Sequence, residues 1–280
     1  MIVHTPATLR EALEAKAIRP AAQPLLGGTD LLAQWQAGAA RPVEVIALDQ
    51  IEELKTILEA EDGVRIGAGA THQALARHPS LRRRLPALAE AAGTVGAPAI
   101  RNMGTIAGNL ANASPAADLP PALLAYDAEI ELASAHTTRR VGLERFFTAY
   151  RRVDCAADEL IVAVIVRWPA AGTHSAYHKV GTRAAQSIAR VGVAGSLAVE
   201  GDCVSHIRLA AASVAAVPLR LRAAEQHLLG RSLTASAIAG AAAVAATEIT
   251  PIDDVRSTAA YRRFAVEQLV RRFLTRAAPV

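Results

Sequence analysis

Cysteine, lysine and aromatic residues are all scarce in this chain of 280 residues, and each scarcity excludes something. Cys155 and Cys203 are its two cysteines, too few for a disulfide framework or a four-thiolate cluster. Aromatic residues make up 4% of the chain, which leaves little for stacking bases. The arginine clusters at 82–84, 139–140, 151–152, 262–263 and 271–272 are scattered rather than gathered into one stripe. So a net charge of +4 and a pI near 9.4 do not make a nucleic-acid partner expected, and the clusters read as solvated faces. Lysine supplies only Lys16, Lys55 and Lys179 of the 30 basic residues, while alanine fills 64 positions. That skew is what a GC-rich genome produces without any functional cause. The longest apolar run, about 233–246, is alanine-rich and shorter than the roughly 20 residues a bilayer span needs. No basic stretch leading into an apolar core follows Met1, so neither a secretory leader nor membrane insertion is expected, and the chain reads as cytoplasmic. Gly-x-Ser-x-Gly elbows, Gly-Lys-Ser/Thr phosphate loops and histidine pairs flanking a helical glutamate are missing, so the chain supplies no nucleophile or metal of its own.

What is present is ordinary globular material, 52% apolar and 20% charged, long enough for one large domain or two modest ones. The first half alternates strand and helix signals. Thr5-Pro6 predicts a cap and a helix with Leu9, Ala12, Leu13 and Ala17 on one face. Short strands are expected over 23–26 and 43–48, with a helix opened by Thr29 or Asp30 and ended by Gly38 between them. Asp62-Gly63 predicts a hairpin joining 55–61 to 64–69. A helix is expected over 80–92, then a long stretch, 93–121, without clear periodicity. Pro169-Ala170-Ala171-Gly172 reads as a linker. Beyond it come strands over 175–181, 188–199 and 204–213 and helices over 218–229, 234–249 and 258–276. Strands followed by helices predict an α+β unit with helices on one sheet face.

Two glycine-bearing segments stand out. In Leu25-Leu26-Gly27-Gly28-Thr29-Asp30-Leu31-Leu32, a strand, a diglycine turn and a helix start collect backbone N–H groups where the helix dipole favours an anion. Such a turn is more often structural than functional. The second segment, Gly104-Thr105-Ile106-Ala107-Gly108-Asn109 and onward to Asp118, is a run of small and hydrogen-bonding residues, either a binding loop or a buried connector. Gly67-Ala68-Gly69-Ala70-Thr71-His72 nearly spells a dinucleotide fingerprint, but its sixth position is His72 and no acidic residue ends a second strand about 20 positions on, so a Rossmann site is not expected.

In this order, about 80 residues apart, the two segments resemble the paired pyrophosphate loops of the FAD-binding medium subunit of molybdenum hydroxylases, the xanthine dehydrogenase and carbon monoxide dehydrogenase family. The resemblance continues through Asp158-Glu159-Leu160-Ile161, His178-Lys179-Val180-Gly181-Thr182-Arg183 and Ser187-Ile188-Ala189-Arg190-Val191. It closes on Pro251-Ile252-Asp253-Asp254-Val255-Arg256 and Tyr261-Arg262-Arg263, so that it covers essentially the whole chain.

It implies an α+β protein: a two-subdomain FAD-binding fold of the vanillyl-alcohol-oxidase type in residues 1–172 (about 1–55 and 56–172), then a C-terminal antiparallel sheet with three helices in 173–280. It further implies that Pro24, Leu25, Leu26, Gly27, Gly28, Thr29, Asp30 and Leu31, with Thr105, Ile106, Ala107, Gly108 and Asn109, cradle the pyrophosphate. Asp118 would bond a polar group of the cofactor, Ile161 would pack on it and Lys179 would reach it from the C-terminal domain. Neither glycine loop holds Lys or Arg, so amides and hydroxyls would carry the phosphate charge. The expected setting is a heterotrimer, as a dimer of heterotrimers, with the molybdenum cofactor on a large subunit and [2Fe–2S] clusters on a small one. Electrons would pass through FAD to an external acceptor. The sequence departs from the family pattern at Ala107, where a glycine is usual, and at Ser187 and Ser257. A self-contained flavin oxidase of the same fold and a cofactor-free partner subunit are the rival readings.

Overall fold

The computed structural model describes residues 1–278. It opens with β1 (Ile2–His4), α1 (Leu9–Ile18), β2 (Gln23–Leu25), α2 (Leu31–Gln36) and β3 (Glu44–Ala47). The three strands form a parallel sheet in the order β1-β3-β2, because helical crossovers return each strand in the same direction. The α1 cap is Thr8, whose hydroxyl accepts from the Glu11 amide, and not Thr5-Pro6; Pro6 is buried ahead of the helix.

A 3-10 turn at Glu52–Lys55 leads to the hairpin β4 (Ile57–Glu59) and β5 (Gly63–Gly67), turning at Asp62-Gly63 as expected. The expected helix over 80–92 is two helices. α3 (His72–Arg77) is followed by α4 (Pro79–Arg84) and α5 (Pro86–Thr94), because Pro86 cannot continue α4 and pushes Leu85 out of helical geometry. The stretch without periodicity contains three helices of six residues each, α6 (Pro98–Met103), α7 (Ile106–Ala111) and α8 (Leu119–Leu124), too short to show a 3.6-residue repeat.

The chain then adds β6 (Glu129–Ala133), β7 (Thr138–Gly142), α9 (Leu143–Phe146), the small pair β8 (Phe147–Ala149) and β9 (Arg152–Val153), and β10 (Leu160–Arg167). A five-stranded antiparallel sheet results, ordered β4-β5-β10-β6-β7. The central strand, β10, is almost wholly apolar because both of its faces are covered.

After the 169–172 loop come β11 (His174–Val180), β12 (Val191–Glu200), β13 (Cys203–Ala212) and the short β14 (Leu219–Arg220), an antiparallel sheet in that order, and then α10 (Arg222–Leu228), α11 (Ala235–Glu248) and α12 (Ala259–Ala277). The expected helix start at 218 is therefore a strand edge. The three helices cover one face of this sheet with their own core, around Val193, Leu209, Leu228, Val266 and Phe273. The other face is not left to solvent: α5 and α8 pack on it, and Tyr177, Ala194 and Ala210 join the core of the preceding residues. The Asp254–Arg262 motif near the C-terminus ties loops together. Buried Arg262 donates to the Ser213 carbonyl at 2.6 Å, the Arg190 carbonyl at 3.1 Å and Asp254 Oδ1 at 2.7 Å. Ser213 in turn donates its amide to the Pro115 carbonyl at 2.7 Å.

Candidate functional site

The two glycine segments touch. A Cβ on Gly27 would lie 1.8 Å from the Met103 carbonyl oxygen and 3.1 Å from the Gly104 amide nitrogen, so the turn after β2 is seated directly on the entrance to the second segment. The next residue, Gly28, has φ +67°, a left-handed conformation open to glycine at no steric cost. Within this turn no backbone N–H from Leu26 through Leu31 donates to an acceptor among the described residues, and Leu26 through Thr29 are half-buried. Six successive amides beside a helix start are donors that an anion could accept from.

The second segment is built differently. Thr105 caps α7, its hydroxyl accepting from the Gly108 amide at 3.1 Å. The Ile106 amide donates to Ala70, the Ala107 amide to Ala68 and the Asn109 amide to Thr105. Ala107 is a buried helical residue whose φ is not positive, so its methyl sits without backbone strain. The groups left over are side chains: Asn109 Oδ1 is buried without a partner among the described residues, and Gly108, its amide and carbonyl both bonded, is exposed and leaves room beside it.

The near-fingerprint at 67–72 is the wall behind this segment. Thr71 bridges to Thr105, the His72 amide donates to the Gly104 carbonyl at 3.0 Å, and Gly67 and Gly69 lie against the Leu54 carbonyl. His72 is buried beside Gly104. Desolvation, with Arg101 nearby, pushes its pKa down to about 4, so the ring is neutral, and its Nδ1 has no partner.

Asp118 and Lys179, remote in sequence, form a buried ion pair, Nζ to Oδ2 at 2.7 Å. Lys179 also donates to the Thr94 carbonyl at 3.2 Å, and the Tyr177 hydroxyl donates to Asp118 Oδ1 at 2.7 Å. Burial pushes the Asp118 carboxyl up, and Lys179 and then Tyr177 oppose it. The segment that starts at Thr94 runs through α6 to the Met103 carbonyl under Gly27, so the ion pair and the glycine turn are fixed to two ends of one short stretch. Ile161 is buried in β10, the strand on which α7 packs. Sequence reasoning missed Tyr177, although its offset of two from Lys179 on a strand puts both side chains on one face. It also missed Met103, whose backbone seats Gly27; nothing local in the sequence marks it.

Residues 1–169 match the family described as FAD binding domain in molybdopterin dehydrogenase, and residues 175–277 match the CO dehydrogenase flavoprotein C-terminal domain. The chain belongs to this flavoprotein family. It is 34% identical over 275 residues to the carbon monoxide dehydrogenase medium chain of Hydrogenophaga pseudoflava, covering 98% of this chain and 96% of that one. It is 30% identical over 276 residues to the xanthine dehydrogenase FAD-binding subunit of Escherichia coli, covering 98% and 94%. The solved carbon monoxide dehydrogenase of Hydrogenophaga pseudoflava superimposes with a TM-score of 0.94 at 34% identity, covering 99% of this chain and 96% of that one. The chain is thus an FAD-binding medium subunit of the molybdenum-containing dehydrogenase type, an oxidoreductase component. Among the described residues no helix is long and apolar enough to cross a membrane.

The residues present fit the cofactor. A turn with six unpaired amides and no side chain at Gly27 or Gly28 suits a dianionic linkage, and the unpaired Asn109 oxygen and the Asp118 carboxylate are acceptors for hydroxyl or amide donors.

Proposed function

We propose that this chain carries electrons from [2Fe–2S] clusters on a small partner subunit to an external acceptor, within a heterotrimer whose large subunit holds the molybdenum cofactor and hydroxylates the substrate. Bound FAD supplies the redox chemistry, accepting electrons singly and releasing them in pairs. The residues of this chain bind and orient the cofactor. Amides from Leu26 to Leu31, within the Pro24–Leu31 turn, hold the pyrophosphate from one side, and the Thr105 and Asn109 side chains, with no side chain at Gly108 to block the approach, hold it from the other. The Ile106 and Ala107 amides stay inside the chain and brace that second side. Asp118 accepts from a polar group of the cofactor, Ile161 packs against it and Lys179 reaches it from β11. Residues 1–172 are the cofactor-binding unit, in two subdomains of about 1–55 and 56–172, and residues 173–280 close over its flavin side and exclude water. Heterotrimers pair as a dimer in the cytoplasm.

The observation that carries this reading is the run of unpaired amides from Leu26 to Leu31, seated on the second glycine segment. Its test is the visible spectrum of the purified chain, produced with its partner subunits, followed by release of the chromophore on denaturation. About one releasable FAD per chain is expected, reduced when substrate is added to the complex. A folded chain that holds no flavin in that complex would overturn the reading.

A further inference from the structure

Three side chains of β11 point at residues 1–172 in register. Ser175 bonds the Tyr126 hydroxyl at 2.6 Å, Tyr177 bonds Asp118 Oδ1 and Lys179 bonds Asp118 Oδ2. We propose that Tyr177 is a positioning residue for the cofactor site, whose hydroxyl holds the Asp118 carboxylate in the one orientation that binds FAD. The inference rests on the reading above, in which Asp118 and Lys179 contact FAD.

Lys179 alone holds the carboxylate by a single oxygen, which leaves it free to swing. The tyrosine hydroxyl holds the other oxygen at the same 2.7 Å distance, so both are fixed from one strand. The hydroxyl is built in with care. The ring is 6% exposed, and the Tyr177 amide is anchored to Glu90 Oε2 at 2.8 Å. On the neighbouring strand, a Cβ at position 192 would come 2.5 Å from the hydroxyl oxygen, a space that Gly192 leaves open. A phenylalanine would fill the same volume, so the hydroxyl is dispensable for packing and its role lies in the bond to Asp118. Lys179 has three donors, two of which serve Asp118 and Thr94, which leaves one for a ligand.

The ionisable groups facing the carboxylate are Lys179 and Tyr177 of β11. Neither α7 nor α8 carries one. Glu90 of α5 is tied to the Tyr177 amide, Arg208 of β13 and Arg220 of β14 are paired with Asp127, and Glu144 of α9 is paired with Arg222. Removing the hydroxyl takes a donor from the ionised form, so Asp118 takes up a proton at higher pH.

The experiment is FAD affinity of the flavin-depleted subunit complex, read by flavin fluorescence between pH 5 and 8, for Tyr177→Phe, Asp118→Asn and the double variant, with melting temperatures alongside. Tyr177→Phe is expected to weaken binding on the order of tenfold at pH 7, the scale of a lost hydrogen bond to a charged group. It should also move the acid limb of the binding curve to higher pH. Asp118→Asn should weaken binding more and remove that limb, and the double variant should bind no more weakly than Asp118→Asn. Unchanged affinity in Tyr177→Phe, or a penalty that persists in full beside Asp118→Asn, would overturn the proposal and leave the Asp118 contact standing. An Asp118→Asn complex that binds FAD like the parent would remove the contact itself, and the proposal with it.

Discussion

The two glycine segments are alike in composition and opposite in construction. Among the described residues, the backbone from Leu26 to Leu31 keeps its N–H groups free of protein acceptors, while from Ile106 to Asn109 every amide is bonded within the chain. The first leaves its donors in the backbone. The second is a capped helix start braced by the 67–72 wall, with side chains rather than amides left to offer. Glycine content alone does not distinguish a binding turn from a packing turn, because the same lack of a Cβ serves both.

The largest expected effect comes from breaking the seat between them. Gly27→Ala places a methyl inside the van der Waals radius of the Met103 carbonyl, and two backbones must separate to admit it. We expect a loss of about 3 kcal/mol in unfolding free energy, the upper end for overpacking, together with loss of bound flavin. Native-like denaturant unfolding with full flavin content would show that the segments are not mutually seated.

The next effect probes the wall behind the second segment. The folded-state pKa of His72 lies below the unfolded value of 6.5, at about 4, so the native state resists a proton that the unfolded chain accepts. Its contribution is therefore complete above pH 6.5 and is lost as the pH falls toward 4, by roughly 3 kcal/mol in all. His72→Asn should flatten the acid side of the stability–pH profile by a comparable amount, although His174, His178 and His206, also shifted down by burial, keep part of the slope. An unaltered slope in urea titrations at pH 7 and 4.5 would mean that the ring is not held neutral.

The smallest effect is the most discriminating. Ala107→Gly restores the residue usual in the family, yet here the position is a buried helical one whose amide already bonds Ala68. Stability should fall by about 1 kcal/mol, the helical cost of glycine, with FAD affinity unchanged within about twofold. A marked gain in affinity would show that the cofactor approaches the second segment through its backbone at position 107, making the two segments more alike than their hydrogen bonds imply.

Local chemistry made much of the fold legible. Asp62-Gly63 turned as its dipeptide demands, and α11 and α12 were readable from length and periodicity. Strand β10 was not read as an element, since its unbroken apolar run has no alternation to mark it. Helices α6 to α8 were hidden for a related reason, as one and a half turns show no repeat. At α1 the cap was expected at Thr5-Pro6, but Thr8, three residues on, takes the role by accepting from the Glu11 amide. The site divided in the same way. Both glycine segments stood out by composition and Asp118 and Lys179 were expected from the family resemblance, whereas the contacts that Tyr177, Met103 and His72 make with them were not legible.

By itself the sequence determined the family, the places where no side chain stands, and the absence of cations from both glycine segments. Tertiary structure decided which of those segments keeps its amides free, that Gly27 rests on the Met103 peptide, and that Asp118 is held from both sides by one strand of the C-terminal sheet. The physical reason is that a residue's type fixes which hydrogen bonds and contacts it is able to make, while the partner that takes them up arrives from far along the chain and is settled only when the sheets and helices pack.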